Sequence, residues 1–175
     1  MTATTPNGLT EHCLAQFGAI THWFARHECL MQRVMAKASG ADGASVMAMT
    51  KKLDFSQKRR ALLNLLRHRG APLDQIDAIR DYLKLPARLE PLRDDIAHCE
   101  WTQGENEDSV QPSWILRPLG TIKAVHDPAF VLGGGDYEDA DDLAEYTPTE
   151  LAQIAERLAE NYASFQAYLE EVGRV

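Results

Sequence analysis

Residues 10–38 read TEHCLAQFGAITHWFARHECLMQRVMAKA. Cys13, Phe17, Ile20, Phe24, Met31, Val34 and Met35 keep helical spacing along it, so one side is apolar and calls for cover from other elements. Thr10 stands where an N-cap belongs. The expectation is a long core helix running to about Ala38. His27 and Glu28 fall on or near the stripe midway along it. They read as a buried, hydrogen-bonded pair; the other reading is a site contribution toward a helix farther down the chain.

The same period recurs on both sides. Met1–Gly8 is polar and reads as a frayed tail. Ser39–Ser45 is a linker by composition. Val46–Lys52 suggests a short helix. Asp54 or Ser56 caps the next, which buries Leu62, Leu63, Leu65 and Leu66 and stops at Arg69-Gly70. Pro72 opens a helix carried to Leu85 by Leu73, Ile76, Ile79 and Leu83. Pro86 and Pro91 disfavour helix at the preceding residue. The chain is therefore expected to kink, or to end one helix and begin another, near Arg88–Pro91, with the following helix ending near Glu100–Trp101.

After a polar, turn-like Thr102–Ser109, the period changes. Ser113–Leu116 and Thr121–Val125 are rich in β-branched and apolar residues around Pro118-Leu119-Gly120, which predicts a hairpin or two short strands. Ala129–Leu132 suggests a further extended piece. Gly133–Asp142 is glycine-rich, then acidic, and matches neither a calcium loop nor a phosphate loop. Thr147-Pro148-Thr149-Glu150 is a capping box with proline at the first helical position. Leu151, Ile154, Leu158, Phe165, Leu169 and Val172 then mark a closing amphipathic helix. The fold class expected is mainly all-α: one domain over residues 1–175, an antiparallel bundle of four or five helices, with residues 102–146 as a hairpin and acidic-loop insertion.

The chain has 175 residues, 45% hydrophobic and 25% charged, an ordinary globular composition. No apolar run approaches the roughly 18–20 residues of a membrane span, and no membrane association is expected. Cys13, Cys29 and Cys99 have no framework spacing and read as reduced thiols of a cytoplasmic protein. The net charge is −8 but uneven. Lys51, Lys52, Lys58, Arg59, Arg60, Arg67 and Arg69 meet only Asp54, whereas twelve carboxylates from Asp127 onward meet only Arg157 and Arg174. An acidic chain is a poor non-specific nucleic-acid binder. The basic stretch reads either as a solvated helix face or as a stripe that guides a polyanion or an acidic partner. Lys58 and Arg59 are its candidate substrate contacts.

Leu89–Trp101, LEPLRDDIAHCEW, holds the densest set of reactive side chains. Leu89, Leu92, Ile96 and Cys99 form the apolar stripe, leaving Arg93, Asp94, Asp95 and His98 off it. Arg93 and His98 lie about 140° apart around an ideal helix. His98 is the i+4 neighbour of Asp94 and the i+3 neighbour of Asp95, either of which could orient the imidazole. Arg93 is a permanent cation with a fork suited to phosphate. RNA cleavage needs a proton taken from the 2′-OH, a proton given to the 5′-oxygen and positive charge beside the phosphorane. A histidine and an arginine can supply all three. The splay within one chain implies a site completed by a second copy.

The segment LRDDIAHCEW resembles the R-x4-H signature of the HEPN superfamily, in which an arginine, a polar residue, three further residues and a histidine stand in series. Arg93, Asp94 and His98 match it, with Asp where Asn is commoner. The resemblance implies a helical domain that forms homodimers with the motifs at the interface. It also implies a metal-independent ribonuclease acting on RNA, with no cofactor, in which Arg93 and His98 are catalytic and Asp94 supports them. It sets the chain in a toxin–antitoxin (with an antitoxin protein as partner), phage-defence or RNA-processing context. Other members of the superfamily serve in binding without catalysis. A non-catalytic binding or dimerisation module, with Arg93 and Asp94/Asp95 paired across an interface, is the first alternative. A metal-binding bundle drawing on His12, Cys13, His22, His27, Cys29, His98 and Cys99 is the second; adjacent His-Cys pairs diverge on a helix and disfavour it.

Overall fold

A computed structural model of the chain describes residues 9–106, 108–112 and 145–174. The expected N-terminal tail, the hairpin around Pro118–Gly120, the extended piece at 129–132 and the acidic loop at 133–142 lie outside the described residues. Among the described residues the chain is mainly helical. The helices are α1 (Glu11–Ser39), α2 (Gly43–Thr50), α3 (Phe55–His68), α4 (Leu73–Tyr82), α5 (Lys84–His98) and α6 (Pro148–Glu171). Strands β1 (Trp101–Gln103) and β2 (Val110–Pro112) lie between α5 and α6. No described helix is long and apolar enough to cross a membrane.

Local chemistry sets most helix ends. Thr10 Oγ1 accepts from the Cys13 amide at 3.2 Å and starts α1. Asp54 and Gln57 form a reciprocal capping box at α3: Asp54 accepts from the Gln57 amide, and the Gln57 side chain accepts from the Asp54 amide. Thr147 and Glu150 do the same at α6, with Pro148 as its first residue. At the end of α3, Gly70 takes φ +70°. The Ala71 amide then reaches Leu66 O at 3.0 Å and the Gly70 amide reaches Arg67 O at 3.0 Å, a Schellman ending. Gly173 closes α6 in the same way, with φ +63° and Arg174 N donating to Leu169 O at 2.7 Å.

Three boundaries differ from expectation. Helix α2 starts at Gly43 rather than Val46, because the Asp42 carboxylate accepts the Ser45 amide and caps it inside the supposed linker. Helix α4 ends at Tyr82 rather than Leu85, and the break falls at Leu83 rather than at Arg88–Pro91. Pro86 is then the third residue of α5, where its missing N–H would have no intrahelical partner in any case. Pro91 lies inside α5. An interior proline costs about 3 kcal/mol; Leu89 and Leu92, both fully buried, offset it at roughly 1.5–3 kcal/mol each. Finally, a hairpin begins at Trp101, inside what reads as the end of a helix and a polar turn. Trp101 pairs with Pro112, Thr102 with Gln111 and Gln103 with Val110, antiparallel.

The chain divides into two compact units, residues 1–22 with 88–157, and 23–87 with 158–175. In the first, Trp101 packs its ring on Phe17 at a centroid distance of 4.6 Å and on Tyr146 at 6.2 Å. Val110 and Tyr146 exchange backbone hydrogen bonds, both 2.8 Å, which ties the hairpin to the segment entering α6. In the second, Phe24 of α1 meets Phe55 of α3 edge-on at 5.2 Å, and Tyr82 stacks on Phe165 of α6 at 5.2 Å. Each such pair adds about 0.5–1.5 kcal/mol beyond the area it buries.

Candidate functional site

The buried leucines of α5, Leu89 and Leu92, fix which side of the helix faces inward. Ile96 and Cys99 continue that stripe only half-buried, because the last turn runs out toward the hairpin. That turn is tied down through Asp95. Its carbonyl accepts from the Cys99 amide at 2.9 Å and from the Trp101 indole N–H at 3.1 Å. Its carboxylate accepts the Cys99 thiol at 3.5 Å. The buried tryptophan therefore anchors the end of α5 against α1 and Tyr146.

Arg93 and Asp94 stand together. Arg93 Nη1 is 3.0 Å from Asp94 Oδ1, with the arginine side chain 24% exposed and the aspartate 50%. The pair is adjacent in sequence, so it holds the guanidinium along the helix surface. An exposed pair of this kind contributes about 0–1 kcal/mol, and its value lies in orientation. His98 sits in the last turn of α5, exposed, with no hydrogen bond or ion pair among the described residues. Neither carboxylate orients it: Asp94 faces Arg93, and Asp95 takes the thiol of Cys99.

The two candidate substrate contacts belong to the second unit. Lys58 is 6% exposed and its Nζ lies 3.0 Å from Glu28 Oε1, so its charge is spent inside the fold. Arg59 is half-exposed.

His27 and Glu28 do not pair with each other. Glu28 holds Lys58. His27 is fully buried, with Nδ1 2.8 Å from Trp23 O and Nε2 2.9 Å from the Asn161 side-chain oxygen. Burial pushes the imidazole below its ordinary value, outweighing both hydrogen bonds, which raise it. The ring is therefore neutral near pH 7 and carries one N–H. A carbonyl can only accept, so that hydrogen is on Nδ1. Nε2 is then satisfied when Asn161 turns its amide nitrogen inward, an exchange of two atoms of equal shape.

A second cluster escapes a reading by sequence. Glu145, just before α6, accepts from the backbone of Glu105 and Asn106, the Asn106 side chain and the Ser109 hydroxyl. The Ser109 hydroxyl foremost, then the Glu105 amide, hold its carboxyl down to about 2. Gly104 leaves room for this: a Cβ there would overlap Ser109 Oγ and come within 2.7 Å of Glu145 Cδ. The glycine, asparagine and serine of the polar turn were the available signal. Their acceptor, forty residues on, was not.

No group of three or more His, Cys, Asp or Glu side chains among the described residues is placed to hold a metal ion. His12, Cys13, His22, His27, Cys29, His98 and Cys99 do not converge there. Charge divides between the units. Among the described residues the first carries 10 acidic against 3 basic side chains, net −7, and the second carries 13 basic against 9 acidic, net +4. Comparison with protein-family models, with curated proteins and with solved structures finds no match to this chain.

Proposed function

We propose that the chain is a metal-independent endoribonuclease of HEPN type, acting as a homodimer in a toxin–antitoxin or phage-defence setting. The observation that carries this reading is the division of labour on α5. Arg93 is held in place by Asp94, and His98, one turn on, is exposed with no partner among the described residues. An oriented cation and an uncommitted imidazole are the two groups that RNA cleavage without metal requires. In the proposed chemistry one His98 takes the proton of the 2′-OH as that oxygen attacks phosphorus. Arg93 stabilises the charge on the phosphorane. The partner's His98 gives a proton to the departing 5′-oxygen. The products are a 2′,3′-cyclic phosphate and a 5′-hydroxyl.

The net −7 on the described residues of the unit that carries Arg93 repels a polyanion at long range. The enzyme proposed here is thus selective, its RNA delivered or chosen rather than captured non-specifically. The test is cleavage of unstructured RNA in EDTA by the dimer. Arg93→Ala and His98→Ala should each slow it roughly 100-fold or more while the dimer persists in sedimentation. RNA left intact by the wild-type protein across several substrates refutes the reading.

A second reading has its own observation: Arg93 is already neutralised by Asp94, which suits a non-catalytic binding or dimerisation module. Under it, Arg93→Ala weakens self-association, His98→Ala changes nothing, and RNA stays whole.

A further inference from the structure

Lys51 and Lys52 stand in the turn after α2, Arg59, Arg60 and Arg67 on α3, and Arg69 at its end. None of the six has an ion pair among the described residues. Arg67 Nη1 donates to Asn64 Oδ1 at 3.0 Å and Arg69 Nη2 to Ser39 O at 2.7 Å. Both acceptors are neutral and leave the guanidinium charges unbalanced. Lys58, buried on the same helix, is cancelled by Glu28. Asp54 caps α3 and is still a charged carboxylate, so with it the six cations come to net +5. Residues 74–84, which include the helix α4 packed on α3, set Asp74, Asp77 and Asp81 against Arg80 and Lys84, net −1. With every carboxylate counted, the unit remains at +4.

Two ordinary reasons for surface cations do not account for this face. The first is pairing with acids one turn away. Arg80 and Lys84 obey it, each 2.7 Å from an aspartate three residues back. Three and four residues from Arg60 lie Ser56, Gln57, Leu63 and Asn64; around Arg67 lie Leu63, Asn64, Gly70 and Ala71. Neither arginine has an acid in reach on its own helix. The second is the helix dipole, which favours cations in a last turn. It covers Arg67, and Lys51 at the C-cap of α2, but it opposes Arg59 and Arg60 in the first half of α3. Arg60, Asn64 and Arg67 are exposed and fall at i, i+4 and i+7 along one side of α3, opposite the buried Leu62, Leu63 and Leu66. The two arginines are two turns apart, about 10.5 Å along the axis. No apolar side chain larger than alanine is exposed on α3.

We propose that this side of α3 binds the phosphate backbone of single-stranded RNA, with Arg60 and Arg67 on phosphates and Asn64 between them. A phosphate backbone needs cations and donors and no apolar anchor. A protein partner is held by buried apolar or aromatic anchors, for which this face has no counterpart. The guanidinium fork takes two phosphate oxygens at once. Asn64 Oδ1 already accepts from Arg67, which leaves Nδ2 as a donor for the 2′-OH that distinguishes RNA from DNA. A second copy would bring like charges together. The choice of RNA rests on the ribonuclease reading; the cationic face does not.

The experiment is fluorescence anisotropy of an unstructured RNA of about 16 nucleotides with the full His98→Ala chain in EDTA, so that the RNA stays whole. Adding Arg60→Ala/Arg67→Ala should weaken binding at least about tenfold and make the plot of log affinity against log salt shallower by about 1.4, at roughly 0.7 per phosphate. Arg80→Ala/Lys84→Ala removes the same charge from the same unit and should change affinity less than about twofold, since those cations already have aspartates. Arg60→Lys/Arg67→Lys should restore most of the salt slope. The arginines are exposed, so the urea midpoint should not move. The proposal is overturned by RNA that does not bind, by equal losses in the two alanine pairs, or by single-stranded DNA of the same sequence binding as tightly as the RNA. Polyglutamate or phosphatidylserine vesicles that bind through Arg60 and Arg67 while RNA is inert also overturn it. So does RNA binding that appears only once Asp136, Glu138, Asp139, Asp141 and Asp142 are changed to their amides, which assigns the face to the chain's own carboxylates. RNA bound at α3 and never cut by the wild type refutes the ribonuclease reading alone. RNA that is cut, with affinity indifferent to Arg60 and Arg67, refutes this proposal alone.

Discussion

Two side chains report on the fold through pH. His27 is neutral because it is buried, whereas in the unfolded chain it titrates normally near 6.5. Below that value the unfolded state binds the proton more readily, so stability falls as pH drops through 6.5 and is flat above it. The urea midpoint of the wild type should show that decline; His27→Gln should remove it. His27→Ala should lower stability by roughly 2–4 kcal/mol through the cavity and the stranded Asn161 amide. Glu145 works in the opposite range. Its folded value is depressed from 4.5 to about 2, so the stability it adds is present above 4.5 and is lost as pH falls toward 2. Glu145→Gln should abolish that part of the acid transition. Gly104→Ala should cost about 1–3 kcal/mol by crowding the same carboxylate, measurable as a shift in urea midpoint at neutral pH.

At the level of elements, the helices owe their ends to short-range chemistry and their company to burial. Asp54→Ala removes the carboxylate half of the α3 capping box and should lower stability by about 1 kcal/mol. Gly70→Ala places a Cβ at φ +70° and should cost about 1–2 kcal/mol. Pro91→Ala acts the other way. It restores an amide inside α5 and should raise the urea midpoint, since the proline offers α5 no compensating bond. A fall in stability would show that Pro91 is needed to seat Leu92. These are also the features legible in the sequence alone. Thr10, Asp54, Gly70 and the Thr147–Glu150 box act within four residues of themselves. The breaks at Asp42 and Leu83 differ from the expectation because both depend on which of two local signals packing favours. A linker composition around Asp42 concealed a cap, and two prolines competed to mark one boundary.

At the scale of the molecule, the charge of the described residues is segregated, −7 in one compact unit and +4 in the other. Self-repulsion within the acidic unit is screened over about 10 Å at 0.1 M salt. The melting temperature should therefore rise between low and moderate sodium chloride, and scanning calorimetry would show it; a fall would place the dominant electrostatics in attractive pairs such as Lys58–Glu28. That pair, His27 with Asn161 and Glu145 with the Gly104–Ser109 turn are the contacts that no reading of periodicity supplies. Their partners lie 30, 134 and about 40 residues apart in the chain. The mainly helical class, the long first and last helices and the Arg93–Asp94–His98 grouping in sequence follow from residues within a few turns of one another, because side-chain period and capping are local. Which polar side chain is paired inside the fold and which has no partner among the described residues, Lys58 or His98, is set by what the chain brings against each from a distance. Burial and long-range pairing depend on the packed structure, and a linear order of residues does not contain them.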